Sequence, residues 1–427
     1  MKKIISFLLD KKNIIKKIIF TLIIVFIYVI GREIPIPFLE KEYYQRMNFF
    51  KNVKDDDSFN LFSSFFNMNS LNIFVLGISP YITASIIVQF SQKVLPSLKE
   101  WFNQGEKGKY KINLVTRGLT FFFALGQGWM ILKQQTISFE NNKSSIFISL
   151  YFLIVGTFIC IWLSDLITSK GIGNGVSILI VVGISDKLFS TFKFLLNLDL
   201  KEISMSLIMT KILILFLFLI LLILTVFLTL GYLKIPINYA INKNNDRLDK
   251  YIPIKLNIAG ILPIILAEVF LNITQYIKMF ENKKINNFIS FFEKPRYDLG
   301  ISFFLYLLLI ILFSFFTSFI TINPYDISEH LSKQNAYLKN IKPGFPTVKK
   351  ITHEMFKIIF IGTIFLTLLT AAPDIINFFL ILFKQENVCY KIKFGGTSLL
   401  IVVGTSLEFI QNIKEKKNIK KNYNNLF

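Results

Sequence analysis

The sequence predicts an all-α polytopic membrane protein, and three observations lead to this fold class. The chain has 427 residues, of which 53% are hydrophobic and 47 are Phe. Its apolar residues form long runs such as Ile18–Ile30, Ile212–Leu230 and Ile301–Ile322, and charged residues gather between the runs. A run of ~20 apolar residues covers the ~30 Å hydrocarbon core of a bilayer. Such runs must be helices, because only a helix pairs its own backbone polar groups within one segment in lipid.

Ten spans fit the apolar runs. Their approximate bounds are 15–34, 72–93, 112–132, 146–168, 173–195, 208–233, 256–278, 299–322, 354–375 and 395–412. Placing the N-terminus in the cytoplasm leaves most of the 48 Lys and Arg residues in cytoplasmic segments, which is the positive-inside pattern. The even number of spans places the C-terminus in the cytoplasm as well. The net charge of +21 therefore reflects membrane topology rather than nucleic-acid binding.

Two segments depart from a simple series of helical hairpins. Asp55–Asn72 mixes Phe with Ser and Asn, so it is too polar to cross the bilayer and too apolar for a free loop. It is predicted as a short re-entrant piece or an interfacial loop. Gly231–Asn257 has X-Pro dipeptides near both ends, and these favour extended backbone. Its polar stretch Asn242–Lys250 is predicted as an exposed cytoplasmic loop.

The sequence predicts no catalytic centre, metal site or cofactor. Cys160 lies within an apolar run and Cys389 far along the chain, and His330 and His353 share one loop without a metal-binding spacing. The glycine-rich Gly171–Gly175 follows no strand, so we interpret it as a tight turn with close helix packing rather than a phosphate site. An enzyme would need a nucleophile with its base or a metal constellation, and neither is visible.

Polar residues inside a membrane span often mark a transport path. Glu268 lies within the apolar run Ile264–Val269, whereas most acidic residues lie at span ends. It either lines a proton or ion path, or faces a water-filled cavity or a seam between helices. Uncharged polar residues recur along the second span: Ser79, Thr83, Ser85 and Gln89. They fit hydrogen bonding between helices or a helix that lines a wet interior.

Eight groups of residues, in order along nearly the whole chain, resemble the motifs of the SecY family, the pore-forming subunits of the Sec protein-conducting channel. They are Gly31–Pro37, Phe74–Gln89, Gly105–Lys109 with Thr116–Arg117, Gly171–Ser177, Ile235–Ala240, Tyr251–Asn257 with Ala259–Gly260, Asn323–Ile327 with Lys342–Gly344, and Gly395–Ile401. Each motif is weak by itself, but eight in the same order are specific. The departures from the family pattern indicate a divergent or accessory member.

The resemblance implies ten transmembrane helices in two pseudo-symmetric five-helix halves, 1–200 and 205–427, around a central hourglass pore. Six apolar residues would form a ring at the narrowest point. By motif position, this pore ring comprises Ile82, Ile86, Val176, Ile180, Ile265 and Ile401. The members of the first two pairs are four residues apart, so each pair shares one helix face.

The resemblance also implies a plug and a lateral gate. The plug, about 55–72, would block the pore from outside, and its assigned residues are Phe65, Phe66, Asn67 and Met68. They stand where the family usually has glycines. The lateral gate lies between the second and seventh helices and is assigned Thr83, Gln89 and Glu268.

The cytoplasmic loops 93–117, 234–255 and 324–357 are the expected docking surface for the ATPase SecA or the ribosome. The basic residues assigned to docking are Lys107, Lys109, Arg117, Lys243, Arg247 and Lys342. Lys342 stands where the family has an arginine, whose planar fork a lysine does not reproduce. SecE-like and SecG-like small subunits are the other implied partners.

The implied function is to pass unfolded preproteins across the membrane and to release membrane segments sideways into lipid. No catalytic residue is expected, because the ring gates the pore and the ribosome or SecA supplies the energy. The expected location is the bacterial plasma membrane, with a plastid membrane as the alternative. A small-solute secondary transporter is the rival function, and it would favour partnered intramembrane charges or helices broken at the midplane.

Overall fold

The described part of the chain is mostly helical. The structure, a computed structural model, describes residues 2–36, 72–135, 143–196, 205–239, 251–278, 300–338, 341–382 and 396–424. In chain order the elements are α1 (Lys2–Glu33), α2 (Ser79–Val94), α3 (Pro96–Asn103), α4 (Glu106–Gln135), α5 (Lys143–Lys170), α6 (Gly175–Leu196), α7 (Met205–Leu230), β1 (Tyr232–Tyr239), β2 (Tyr251–Lys255), α8 (Leu262–Lys278), α9 (Ile301–Thr321), α10 (Pro324–Lys333), β3 (Ala336–Leu338), α11 (Phe345–Leu382) and α12 (Gly396–Asn424).

The chain divides into two compact units. The first comprises Met1–Phe194, Tyr390–Phe394 and Gly404–Phe427, and the second comprises Leu195–Cys389 and Gly395–Val403. Helices α1 to α5 and nearly all of α6 therefore belong to the first unit. The second unit contains α7 to α11 with all three strands, and α12 contributes residues to both.

A helix covers most of every apolar run that was predicted to span the membrane. Within the described ranges, six helical stretches are long and apolar enough to cross a bilayer: Ile146–Lys170, Gly175–Lys193, Met209–Leu230, Ile301–Lys333, Phe345–Leu382 and Gly396–Ile413. A shorter apolar helix, Leu262–Leu271, lies within α8. These segments are helical because the helix satisfies its own backbone hydrogen bonds where lipid offers none.

The segment before α2 folds back onto the end of α1. Asn72 forms an isolated antiparallel bridge with Pro35, and the Ile73 N–H donates to the Ile34 carbonyl at 3.1 Å. Between this bridge and α2, Gly77 has φ +52°, a left-handed conformation that interrupts a right-handed helix. Helix α2 therefore begins only at Ser79, whereas the predicted span starts at Asn72.

The core of the first unit packs this segment against α4 and α5. Its buried apolar residues are Ile36, Val75, Leu76, Ala124, Ile131, Leu132, Leu153 and Ile154. At Gly156 on α5, an added Cβ would overlap the Ile73 carbonyl oxygen, so the glycine permits this close approach. The chain leading into α2 is thus held on both sides, by α1 and by α5.

The two long loops of the second unit fold together into one body, which we call the C-terminal platform (residues 232–239, 251–255, 324–338 and 341–359). Strand β1 pairs antiparallel with β2 on one edge and with β3 on the other, which gives the order β2-β1-β3. The platform core comprises Ile235, Ile254, Leu331, Ala336, Leu338, Ile351, Met355, Ile358 and Ile359. Regions predicted as separate cytoplasmic loops therefore share one apolar core.

This three-stranded sheet is an exception to the predicted all-α fold class, because the rest of the described chain is mostly helical. In β1, Ile235 is buried while Lys234 and Pro236 are exposed, which is the alternation of a strand with one covered face. The X-Pro dipeptides do adopt extended backbone, as predicted. The sheet was not predicted because β1 obtains its second partner from β3, and no local pattern indicates a pairing between positions so far apart.

Candidate functional site

Helix α2 carries the first pair of residues assigned to the ring. Ile82 and Ile86 lie one turn apart on one helix face and are buried. Thr83, assigned to the gate, is also buried, and its hydroxyl donates to the Pro80 carbonyl at 2.8 Å. Gln89 is exposed. The hydroxyl of Thr83 thus bonds within its own helix, which lets a polar residue lie inside an apolar environment at low cost.

A tight turn between α5 and α6 places the second pair. Gly173 has φ +86°, a conformation that glycine adopts at little cost. The Gly175 N–H donates to the Thr168 hydroxyl at 2.9 Å, and the Val176 N–H donates to the Asn174 side-chain oxygen at 3.1 Å. This geometry confirms the interpretation of the glycine-rich segment as a turn with close packing, and it starts α6 directly at the residue before Val176.

The remaining ring residues lie on α8 and α12. Ile265 is half-buried and Ile401 is buried, while Val176 and Ile180 on α6 are half-buried. The first four ring residues belong to the first unit, and Ile265 and Ile401 belong to the second. Whether the six side chains meet at one constriction stays a prediction.

Glu268 is buried in the seam between α8 and α9. Its side chain is 4% exposed, and the Tyr306 hydroxyl donates to its Oε1 at 3.4 Å. Tyr306 is itself 1% exposed. A buried carboxyl group with a hydrogen-bond donor beside it fits the helix-seam alternative, because burying a polar group is costly unless it is hydrogen-bonded.

Removing this carboxyl group is expected to destabilise the α8–α9 packing. Glu268→Ala should cost about 1–3 kcal/mol, because a buried hydrogen bond is lost. Glu268→Gln should cost less, since the amide oxygen can still accept from Tyr306. Thermal unfolding in detergent, followed by circular dichroism, measures both variants.

A double-mutant cycle with Tyr306→Phe is the control. If the two side chains are coupled, the double variant Glu268→Ala/Tyr306→Phe loses less stability than the sum of the single variants. Additive losses would mean that Glu268 and Tyr306 act independently, and would contradict the seam interpretation.

In the first unit, the residues assigned to docking lie at the start of α4. Lys107 and Lys109 are exposed. Arg117 forms a salt bridge with Asp165 of α5 at 2.8 Å, and both side chains are about half exposed. Arg117 therefore ties α4 to α5, a role that the sequence analysis did not predict, while part of its surface stays open to solvent.

In the second unit, Lys342 lies on a turn that two hydroxyl groups hold. The Thr347 hydroxyl donates to the Lys342 carbonyl at 3.0 Å, and the Ser328 hydroxyl donates to the Gly344 carbonyl at 3.3 Å. Gly344 has φ +101°, a left-handed conformation that favours glycine. The Lys342 side chain is exposed, so a fixed backbone presents it to solvent.

Some assignments fall on residues outside the described ranges. They are the plug residues Phe65, Phe66, Asn67 and Met68, and the docking residues Lys243 and Arg247.

Four residues with a clear structural role were missed from the sequence. Tyr306, Asp165, Ser328 and Thr347 each bond to a residue that was singled out. For Tyr306 the sequence does offer a signal, because its hydroxyl is a polar group within the apolar run of α9. Asp165 lies in the last part of α5, Ser328 within α10 and Thr347 in the first turn of α11. No sequence signal distinguishes them from other polar residues, so only the fold identifies their role.

Comparison with known proteins places this fold in a family. The sequence model of the SecY family matches residues 72–410. The protein translocase subunit SecY of Staphylococcus epidermidis is 34% identical over 419 residues, which cover 94% of each chain. The subunit of the same name from Staphylococcus aureus is 33% identical over 432 residues, 96% of each chain.

Solved structures have the same fold at low sequence identity. A protein-conducting channel aligns over 94% of this chain and 92% of its own, with a TM-score of 0.58 and 15% identity. A SecY channel studied for its plug domain gives a TM-score of 0.60 with the same coverage and identity. Sec61 from a canine ribosome–channel complex gives 0.56 at 16% identity, covering 94% of this chain and 92% of its own.

The apolar helices and these structural neighbours define the class of protein: a multi-pass α-helical membrane protein with the fold of the protein-conducting channels. The family model matches most of the chain, and the similar translocase subunits match nearly its full length, so these comparisons also identify the family. The chain belongs to the SecY family, which confirms the resemblance identified from its motifs.

Proposed function

We propose that this chain is the central subunit of a protein-conducting channel, which passes unfolded preproteins across a membrane and releases membrane segments sideways into lipid. The observation that carries the proposal is the similarity, over nearly the whole length of both chains, to protein translocase subunits named SecY. The structural neighbours are consistent with it, since one is described as a protein-conducting channel.

The proposed architecture has ten membrane-spanning helices in two five-helix halves, 1–200 and 205–427. Support comes from the helix found at each predicted apolar run and from the six helical stretches that are individually long and apolar enough to cross. Both termini would be cytoplasmic, because that topology places most basic residues inside. The membrane would be the bacterial plasma membrane, since the similar translocase subunits are from Staphylococcus.

The proposed gate is the apolar ring of Ile82, Ile86, Val176, Ile180, Ile265 and Ile401, with segment 55–72 as its plug. A narrow apolar constriction excludes water and ions by dewetting. A polypeptide that fills the ring would be enclosed by the same side chains, so the membrane stays sealed during transport. No side chain needs to do chemistry in this mechanism, and we propose no enzymatic activity.

Lateral release would occur between the second and seventh helices, near Thr83, Gln89 and Glu268. The proposed partners are the ribosome or the ATPase SecA on the cytoplasmic side, and SecE-like and SecG-like small subunits in the membrane. Two structural neighbours, canine Sec61 and yeast Ssh1, come from ribosome complexes, which supports ribosome docking. Exposed basic residues such as Lys107, Lys109 and Lys342 suit a partner with acidic or phosphate groups.

The test is reconstitution. The tagged chain is purified with whatever small membrane subunits accompany it, placed in proteoliposomes and supplied with SecA, ATP and a radiolabelled preprotein. Protease-protected preprotein inside the vesicles is the expected result. Vesicles that protect no preprotein, from a preparation that does contain SecE-like subunits, would overturn the proposal.

Charge reversal at Lys342 is expected to impair translocation severalfold while leaving membrane insertion of the chain intact. The side chain is exposed on a turn whose carbonyl groups accept hydrogen bonds from the Thr347 and Ser328 hydroxyls, so Lys342→Glu changes the surface charge without disturbing the core. Protected preprotein measures the effect, and the amount of chain in the membrane is the check on insertion. Lys193→Glu is the matched control, because Lys193 is exposed at the end predicted to lie outside. Equal translocation by both variants would remove Lys342 from the docking surface.

The small-solute transporter alternative finds no support. The similar proteins are translocase subunits, and the one intramembrane carboxylate that suggested a transport path is buried beside Tyr306.

A further inference from the structure

The β1–β2 hairpin has an exposed face of unusual composition, which we call the outer hairpin face (Tyr232, Lys234, Pro236, Tyr251, Pro253 and Lys255). The strand register places Tyr232 opposite Lys255, Lys234 opposite Pro253, and Pro236 opposite Tyr251. All six side chains are exposed, whereas Ile235 and Ile254 on the other face are buried in the platform core. The outer hairpin face is therefore exposed, while the opposite face of the hairpin packs against the platform core.

The side chains of this face form an aromatic and cationic group. The Tyr232 and Tyr251 rings stack with their centroids 6.4 Å apart and their planes 11° from parallel. The Lys234 Nζ lies 4.8 Å from the Tyr251 centroid and 5.8 Å from the Tyr232 centroid. Lys255 stands directly opposite Tyr232. None of the six residues is acidic, so the face carries two positive charges and no carboxylate of its own.

The base of the hairpin lies at the end of a membrane span. The apolar stretch Met209–Leu230 has 22 residues, which at 1.5 Å per residue gives about 33 Å, close to the thickness of the hydrocarbon core. Tyr232 follows this span almost at once. The Leu256 N–H donates to the Gly231 carbonyl at 2.9 Å, so the end of β2 is held at the same level as the start of β1.

We propose that the outer hairpin face binds the headgroups of anionic phospholipids in the leaflet at the C-terminal end of α7, with Lys234 and Lys255 contacting lipid phosphates. The headgroup layer is about 5–8 Å thick on each side of the hydrocarbon, and the base of the hairpin lies within this depth. Tyrosine is enriched in this layer because its ring is apolar and its hydroxyl is polar. Lysines beside an anionic leaflet are attracted to its surface charge. The inference does not rest on the proposed function, since it concerns lipid contact alone.

The charge and the depth of this face favour lipid over a protein partner. A partner approaching from the cytoplasm would have to reach the base of the hairpin through the headgroup layer. The chain offers other exposed lysines farther from a span, such as Lys342 on the platform turn. The outer hairpin face is distinguished from these by its stacked tyrosines and its position directly after α7.

Photo-cross-linking tests the proposal. A photoreactive amino acid replaces Pro253, which lies opposite Lys234, in the full chain purified with its small subunits. The complex is placed in vesicles that contain equal amounts of radiolabelled phosphatidylcholine and phosphatidylglycerol. Because each lysine near an anionic surface favours binding by about fivefold, we expect phosphatidylglycerol to be captured at least fivefold more than phosphatidylcholine.

Two charge-matched variants complete the experiment. Lys234→Gln/Lys255→Gln should bring the capture ratio of the two lipids close to one, whereas Lys342→Gln/Lys349→Gln removes the same charge elsewhere on the platform and should leave the ratio unchanged. The chain with all four lysines intact tests the proposal by itself, so the outcome does not depend on whether the double variants fold. Equal capture of the two lipids by the chain with all four lysines, the same loss in both double variants, or capture of a co-purified subunit in place of lipid would each overturn it.

Discussion

Replacing Ile401 by Asn is expected to make the resting channel leak ions and tolerate defective signal sequences. Ile401 is buried near the start of α12, and its motif position assigns it to the ring. An amide at an apolar constriction offers water hydrogen bonds where it had none, so wetting of the pore becomes easier. Single-channel conductance of the purified, substrate-free complex in a planar bilayer measures the leak, and Ile265→Asn should behave in the same way.

Leu400→Asn separates a leak from simple destabilisation. Leu400 is the neighbouring residue on α12 and is also buried, but it is not assigned to the ring. An unpaired amide there should cost about 1–3 kcal/mol without wetting the pore. A variant at Ile401 that is as unstable as Leu400→Asn but equally well sealed would contradict the ring assignment.

Replacing Gly175 by Ala is expected to destabilise the first unit and displace the start of α6. An added Cβ would overlap the Ser164 carbonyl oxygen of α5, so one of the two helices must move. Overpacking of this kind costs about 1–3 kcal/mol. Because Val176 and Ile180 follow directly on α6, the variant should leak as well as unfold at a lower temperature.

The buried thiol of Cys160 reports unfolding of this unit. In a Cys389→Ser background it is the chain's single cysteine, so its reaction with a thiol dye on heating gives the unfolding temperature of the first unit. Gly126→Ala on α4 is the matched control, since no described atom outside its own helix backbone lies within 4 Å of the added Cβ. Alanine there should be neutral or stabilise by up to about 1 kcal/mol, because glycine is a poor helix former. Equal unfolding temperatures for the two variants would contradict the close packing at Gly175.

The helices could be predicted from sequence because a single physical constraint dictates them. A long apolar run in lipid has no other way to pair its backbone. Helix α9 follows its run almost residue for residue, and α7 ends with its run at Leu230. The turn at Gly171–Gly175 was also predictable, since clustered glycines allow both a left-handed residue and a close helix contact. The second predicted span starts several residues before α2, because hydropathy reveals neither the bridge from Asn72 to Pro35 nor the left-handed Gly77.

Local sequence patterns do not predict the sheet of the C-terminal platform. Strand β1 has the alternation of a half-buried strand, but at Ile237–Tyr239 its partner is β3, far along the chain. A two-stranded hairpin is at best marginally stable by itself, and a third strand with a covered apolar face stabilises it. The regions 234–255 and 324–357 were therefore interpreted as two loops, although each completes the apolar core of the other.

The sequence by itself determined that this is a multi-pass helical membrane protein of the SecY family, because apolar length fixes the spans and eight ordered motifs fix the family. Only the tertiary structure decided which partners its polar side chains have. The sequence does not reveal that the Tyr306 hydroxyl lies beside Glu268 or that the Asp165 carboxylate pairs with Arg117. The docking role of half-exposed Arg117 stays a prediction. A buried or half-buried polar group is defined by its partner, and that partner lies 38 or 48 positions away in the chain.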